Sequence, residues 1–283
     1  MRIEELDTPA LTVNLNTRER NLCSRGDYCQ KHSLKLRPHT KTHKIPAIAK
    51  MQIAAGAGSI EVARVGGAEV MAGAQLEGHS ILIAYPVVGQ AKCGWLAKLA
   101  QHKTITVSLD SIEVALGISQ AATRAASTVS IPIEFDVGMR RCSLQTADAW
   151  LNVAQAVDEL SGMRFSRLMI YPGHIRVALP EQGPALDSIC QVIEAIQAKS
   201  KRNGLNCAVA SAGSTPTAYN SHQVRGITEI RPGTSVFNDR NGTKTGYSQL
   251  SDCKLRVQIT VVSKAVQGQQ GAMVDRKPLR KTG

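Results

Sequence analysis

The stretch "RPHTKTHK", residues 37–44, crowds Arg37, His39, Lys41, His43 and Lys44 into eight positions. Three chemistries draw on such a group. Two histidines can hold a metal, a basic cluster can sit on phosphate, and a lysine crowded by cations can shed its proton and act as a nucleophile. In "SLKLRPHTK" (33–41) the alternation puts Leu34, Leu36, Pro38 and Thr40 on one face and Lys35, Arg37, His39 and Lys41 on the other. A barrel strand turns its apolar face to the surrounding helices. The second face then points inward, and Lys41 emerges at the mouth. Like charge and desolvation there favour the neutral amine that Schiff-base chemistry requires. The competing reading is a solvated basic turn. A metal on His39 and His43 fits less well, because four-residue spacing suits a helix and Pro38 opposes one. No acidic third ligand is nearby.

Other clusters offer complementary groups. In "SAGSTPTA" (211–218), Ser214 or Thr215 is expected to cap a following helix, with Pro216 in its first turn and free N–H groups facing an anion. In "EIRPGTS" (229–235), Gly233 and Thr234 offer two more backbone N–H groups. "DVGMRRC" (136–142) contributes Arg140 and Arg141, and "YPGH" (171–174) contributes Tyr171 and His174. A lysine, a phosphate cradle, arginines and a histidine together describe the needs of pyridoxal 5'-phosphate: one group for its aldehyde, one for its phosphate, the rest for its ring.

The elements that must position these residues follow from periodicity. Short apolar runs at 34–39, 59–65, 80–86, 105–110, 131–138, 166–173, 207–213 and 227–233 read as strands. Between them "PAIAKMQIAAGA", "QAKCGWLAKLAQH", "SIEVALGISQAATRAA", "ADAWLNVAQAVDEL" and "ALDSICQVIEAIQAKS" repeat apolar residues every three or four positions, the helical period. Eight such units predict an α/β fold, a (β/α)8 TIM barrel. The alternative is a doubly wound open sheet, but no G-x-G-x-x-G follows the first strand. In a barrel the clusters above fall at the C-terminal strand ends, where active sites lie, and the loops after strands seven and eight are the usual phosphate site. Two pieces fall outside it. "PALTVNL" (9–15) reads as an extra strand, and "CKLRVQITVVSKAV" (253–266) as one long strand. The expected division is a barrel over 16–245, with 1–15 and 246–283 forming a partial β-domain.

Composition narrows the partners. A chain of 283 residues, 43% hydrophobic, can bury a large core. Its net charge of +12 raises nucleic acid as a partner, but the basic residues are dispersed and only three Phe and two Trp are available to stack bases. No nucleic-acid partner is expected. No apolar run reaches the ~18 residues of a membrane helix, and "MRIEELDTPA" is too polar for a secretory signal. Seven scattered cysteines without a C-x-x-C pair suggest reduced thiols and a cytoplasmic location.

"LDTPALTVNL", "LRPHTKTHK", "AYPVVG", "DVGMRRC", "YPGH", "SAGSTPT" and "EIRPGTSVFND" occur in this order. Together they resemble the D-threonine aldolase / D-serine dehydratase family, pyridoxal-phosphate enzymes of the alanine-racemase fold type. The resemblance runs from about residue 6 to about residue 265. It implies a barrel of the alanine-racemase N-terminal type with a fragment of a C-terminal β-domain, and a homodimer if that domain is intact. It implies a small D-amino acid substrate, a D-3-hydroxy amino acid cleaved to glycine and an aldehyde. Dehydration with deamination, racemisation, or cofactor binding without catalysis are the alternatives. Carried over by residue, Lys41 would hold the cofactor's aldehyde, with His39 beside it. His174 would pack on the ring with Tyr171, and Arg141 would lie near the phenolic oxygen. Arg231 resembles the arginine that faces the pyridine nitrogen in alanine racemases, which would leave the ring unprotonated and a weaker electron sink. Ser214, Thr215, Gly233 and Thr234 would cradle the phosphate. Ser235 stands where members often carry tyrosine. The family also implies a divalent metal, zinc or manganese, bound by a histidine and a cysteine near the C-terminus. Here the last histidine is His222 and the last cysteine is Cys253, so no metal ligand is assigned. The tail "RKPLRKTG" (276–283) shifts abruptly in charge and reads as a frameshift or early stop near Asp275, which would impair turnover.

Overall fold

The structure, a computed structural model, describes residues 2–272. The basic tail 276–283 lies outside the described residues. Strand β1 (Ala10–Val13) leads into helix α1 (Leu15–Lys31). There follow β2 (Lys35–Leu36), α2 (Pro46–Ala54), β3 (Ile60–Val62), α3 (Val65–Ala72), β4 (Ile81–Ile83), α4 (Gln90–Ala100), β5 (Ile105–Val107) and α5 (Ile112–Arg124). The second half runs β6 (Val129–Phe135), α6 (Ala147–Glu159), β7 (Met163–Ile170), α7 (Gly183–Arg202), β8 (Ala210–Ala212), β9 (Ile227–Ile230) and the short α8 (Arg240–Lys244). Strands β10 (Leu255–Gln258), β11 (Val261–Ser263) and β12 (Gly271–Ala272) complete it.

Strands β2 to β9 form one parallel sheet in the order 2-9-8-7-6-5-4-3. Its two ends meet. The Gly58 N–H donates to the Leu36 carbonyl and the Glu61 N–H to the Pro38 carbonyl, each at 3.0 Å, and His39 bridges Glu61 in parallel. The eight predicted strands are therefore the eight staves of a barrel. Outward-facing side chains such as Ile60, Val62, Ile81, Ile83 and Ile105 are almost fully buried against the helices. Trp150 of α6 packs edge-on to Phe165 at 5.7 Å, and its Nε1–H donates to the Ile133 carbonyl at 3.1 Å.

Two expectations are corrected. No helix follows "SAGSTPTA": residues 215–220 form consecutive turns, then a 3-10 turn at Ser221–Gln223. The Thr217 hydroxyl accepts from the Ser214 N–H at 3.3 Å, and Ala218 and Asn220 bond three residues back, so local hydroxyl and tight-turn bonds replace the α-helical ladder. The stretch 253–266 is not one strand. β10 pairs antiparallel with β1, while β11 turns to pair with β12. The break falls at residues 259–260, where the Thr260 hydroxyl meets that of Thr8 at 2.7 Å. Helix α1 has no strong apolar stripe to announce it, and buries only Thr17, Leu22, Arg25, Gly26 and Cys29. Gly26 lets it pass close to the end of α2, since a Cβ there would meet the Ala55 carbonyl oxygen at 2.0 Å.

Inside the barrel the chemistry reverses from apolar to ionic. The Glu229 carboxylate accepts from Arg37 Nε at 2.9 Å, Arg167 Nη1 at 3.1 Å and the Ser211 hydroxyl at 2.5 Å. Burial alone would raise its pKa, yet these partners hold it below the usual carboxylate range. Arg231 donates to Glu61 Oε1 at 3.3 Å, and Glu134 lies within the field of Arg231. Three arginines thus face three carboxylates in the barrel interior, which suits a region where an unpaired charge is costly.

Candidate active site

The "RPHTKTHK" segment divides its labour. Arg37 turns inward to Glu229. His39 caps the 3-10 turn Thr40–Thr42, its Nδ1 accepting from the Lys41 N–H at 3.3 Å. Burial, then Lys41 and Arg231, keep the pKa of His39 well below the usual histidine value, so its ring is neutral. Thr40 donates its hydroxyl to the Glu61 carbonyl at 2.9 Å, pinning the turn to β3. Lys41 then projects, exposed, at the barrel mouth, with Nζ 5.8 Å from the centre of the Tyr171 ring.

His43 faces the other way. Its Nδ1 accepts from the Ile45 N–H at 3.0 Å, which leaves Nε2–H to donate to Gln52 Oε1 at 3.2 Å. Burial pushes its pKa down to about 4. With both Nδ1 atoms committed to backbone N–H groups, His39 and His43 do not form a metal pair. Among the described residues no group of three or more His, Cys, Asp or Glu is gathered to hold a metal. His43→Leu strands Gln52 and the Ile45 N–H and should lower unfolding free energy by about 1–2 kcal/mol in urea titrations.

The mouth opens into a cavity of about 530 Å³ lined by His39, Lys41, Arg141, Tyr171, Ser214, Thr215, Arg231, Gly233 and Thr234. The Thr215 hydroxyl oxygen accepts from the Gly233 N–H at 3.2 Å and the Thr234 N–H at 3.0 Å, so two backbone donors converge on one oxygen position. Gly233 has no room for a side chain, since a Cβ would sit 2.9 Å from the His39 carbonyl oxygen. These converging donors suit a phosphate oxygen. Arg231 is 4% exposed and fixed on three sides: Nε to Glu61, Nη1 to the Ser211 hydroxyl at 2.7 Å, Nη2 to the Ile170 carbonyl at 2.8 Å. Arg141 lies over the Tyr171 ring at 5.0 Å and 3.8 Å from Glu134. The cavity, the amine at its mouth, the Gly233 and Thr234 N–H groups beside Thr215 and the fixed Arg231 fit pyridoxal phosphate.

His174 does not line this cavity. It is exposed, with its ring against Gly138, where a Cβ would come within 3.0 Å of Nε2. In "YPGH" the Tyr171 ring folds over Gly173, and the turn carries His174 outward. The sequence reading passed over Glu61, Glu134 and Glu229, as well as Arg176, Asp239 and Tyr247 on the cavity wall. A signal for the carboxylates existed. Each is the one acidic residue within its strand, Ile60–Val62, Val129–Phe135 or Ile227–Ile230, at an inward position.

Comparison with known proteins places this geometry. The family model for the alanine racemase N-terminal domain matches residues 13–241. The D-threonine aldolase of Arthrobacter sp is 30% identical over 241 residues, covering 84% of this chain and 62% of that protein. The 3-hydroxy-D-aspartate aldolase of Paracoccus denitrificans (strain Pd 1222) is 30% identical over 256 residues, covering 88% of this chain and 64% of that one. This chain therefore spans a little under two thirds of the length of these relatives. Among solved structures, D-threonine aldolase from Filomicrobium marinum superposes with a TM-score of 0.90 at 28% identity, covering 97% of this chain and 74% of the other.

Proposed function

This chain belongs to the alanine racemase N-terminal domain family, and from that premise we propose that it is a pyridoxal-phosphate-dependent lyase that cleaves D-3-hydroxy amino acids to glycine and an aldehyde. One observation carries the reading: Lys41 stands at the mouth of a cavity lined by Thr215, on whose hydroxyl the Gly233 and Thr234 N–H groups converge, and Arg231 is fixed on its wall. The relatives named as D-threonine and 3-hydroxy-D-aspartate aldolases support it.

When bound, pyridoxal phosphate supplies an aldehyde that captures amines and a conjugated ring that accepts the electron pair released at an amino-acid α-carbon. The residues of this chain do the rest. Lys41 would be the residue that holds the aldehyde. Gly233 and Thr234, with the hydroxyls of Ser214 and Thr215, hold the phosphate. Arg231, fixed on the cavity wall, would be the cation facing the ring nitrogen and would disfavour a proton there. Arg141 and Tyr171 border the phenolic-oxygen side, and neutral His39 packs beside Lys41.

The test is incubation with pyridoxal phosphate and D-threonine, with products identified chemically. Acetaldehyde and glycine in equal amounts support the aldolase reading. Ammonia with a 2-oxo acid replaces it by dehydration, and no product from any D-3-hydroxy amino acid overturns it. Thr215→Val removes a hydroxyl from the phosphate cradle and should weaken cofactor binding about tenfold, the equivalent of one hydrogen bond, read by fluorescence titration.

A further inference from the structure

Glu61 has no part in the mechanism above, yet its placement is unusual. It sits at the inward position of β3, is 3% exposed, and still borders the cavity. Oε1 takes Arg231 Nε at 3.3 Å, whereas buried Oε2 has no hydrogen-bond partner. A carboxylate with a bare buried oxygen is costly, and protonation would relieve that cost. The groups around it are unequal. From β2 and the turn beyond it come Arg37, His39 and Lys41. From β9 and its end come Glu229 and Arg231. β4, on the other side, is Ile-Leu-Ile and brings no charge. Arg37 is already engaged by Glu229 and His39 is neutral. Burial outweighs the remaining cations, and the Glu61 pKa is raised to about 7.

We propose that Glu61 is a positioning residue that holds Arg231 in line with the ring nitrogen of bound pyridoxal phosphate and, by gaining or losing one proton, sets how much positive charge Arg231 presents there. The inference rests on the cofactor reading above. With Glu61 ionised, the Glu61–Arg231 pair is nearly neutral toward the ring. With Glu61 protonated, Arg231 acts on the ring as an uncompensated cation. The ring's electronic state then follows a proton that never touches it.

The experiment is a pH titration of the absorbance spectrum of the cofactor-loaded protein, without substrate, for wild type, Glu61→Gln and Glu61→Asp. The glutamine can still accept from Arg231 but cannot titrate. Wild type should show one spectral transition with a midpoint near 7. Glu61→Gln should show none there and should match the acid-limb spectrum of wild type at every pH. Glu61→Asp should keep a transition with a displaced midpoint, which preserves the test if the glutamine variant folds poorly. A transition of unchanged midpoint in both variants, or none in wild type, overturns the role of Glu61 while leaving cofactor binding intact. Failure of wild type to bind the cofactor at all overturns both readings.

Discussion

Lys41→Ala should abolish the phosphopyridoxyl adduct that borohydride leaves on the cofactor-loaded protein, and should lower lyase turnover by on the order of a thousandfold or more. Peptide mapping of the reduced wild-type protein should find the adduct on Lys41 and on no other lysine. Position sets this expectation. Lys41 stands at the mouth of the cavity, in a turn fixed by His39 and by the Thr40 bond to the Glu61 carbonyl. Lys44, three residues on, lines no part of that cavity, and Lys244, which does line it, is the control lysine that should stay unmodified. The fold should survive the change, because Lys41 is exposed and alanine keeps the backbone N–H that contacts His39. Its urea midpoint should stay near that of wild type, so a lost adduct would report a lost amine and not a collapsed barrel. An adduct spread over surface lysines would remove the basis for the whole functional reading.

Arg231→Met should cost about 3–5 kcal/mol of unfolding free energy, the effect of breaking a buried ion pair from one side. The substitution leaves the Ser211 hydroxyl and the Ile170 carbonyl without their donor and strands Glu61 in the interior. Most of the loss should come from Glu61. The double variant Arg231→Met with Glu61→Gln should therefore regain a substantial part of it, and a double-mutant cycle in urea would isolate the coupling. Equal stability of the single and double variants would show that Glu61 is not the stranded charge. Cofactor affinity should not recover with stability, since the double variant still lacks the cation proposed to face the ring nitrogen.

The barrel was legible because its eight strands are short apolar runs punctuated by helical periods, and both patterns are local. The rim cluster was legible for the same reason: Tyr171 directly follows a strand, and Lys41, Arg141, Thr215 and Gly233 lie in the loops a few residues beyond one, where barrel topology sends the chain to one rim. What escaped needed information at a distance. Whether a helix follows Ser214 depends on the competition between Thr217 and the backbone ladder, which residue types leave open. His174 was misplaced because the direction of a turn containing Gly173 is set by how Tyr171 folds, not by spacing. The ionic interior was missed because Glu61 and Arg231 lie 170 residues apart and Arg37 and Glu229 are separated by 192. Only closure of the barrel shows that they are neighbours.

That closed interior also limits how such a protein can diverge. Arg37, Arg167 and Arg231 balance Glu61, Glu134 and Glu229 in a space with little water to share their charge. Replacing one member alone leaves a bare ion behind, so inner-face positions are free to drift only as compensated couples. The rim is restrained at fewer positions, such as Gly233, where a Cβ would meet the His39 carbonyl oxygen. A lineage can rework the loops that meet the substrate one residue at a time, while the inner face is inherited as a block.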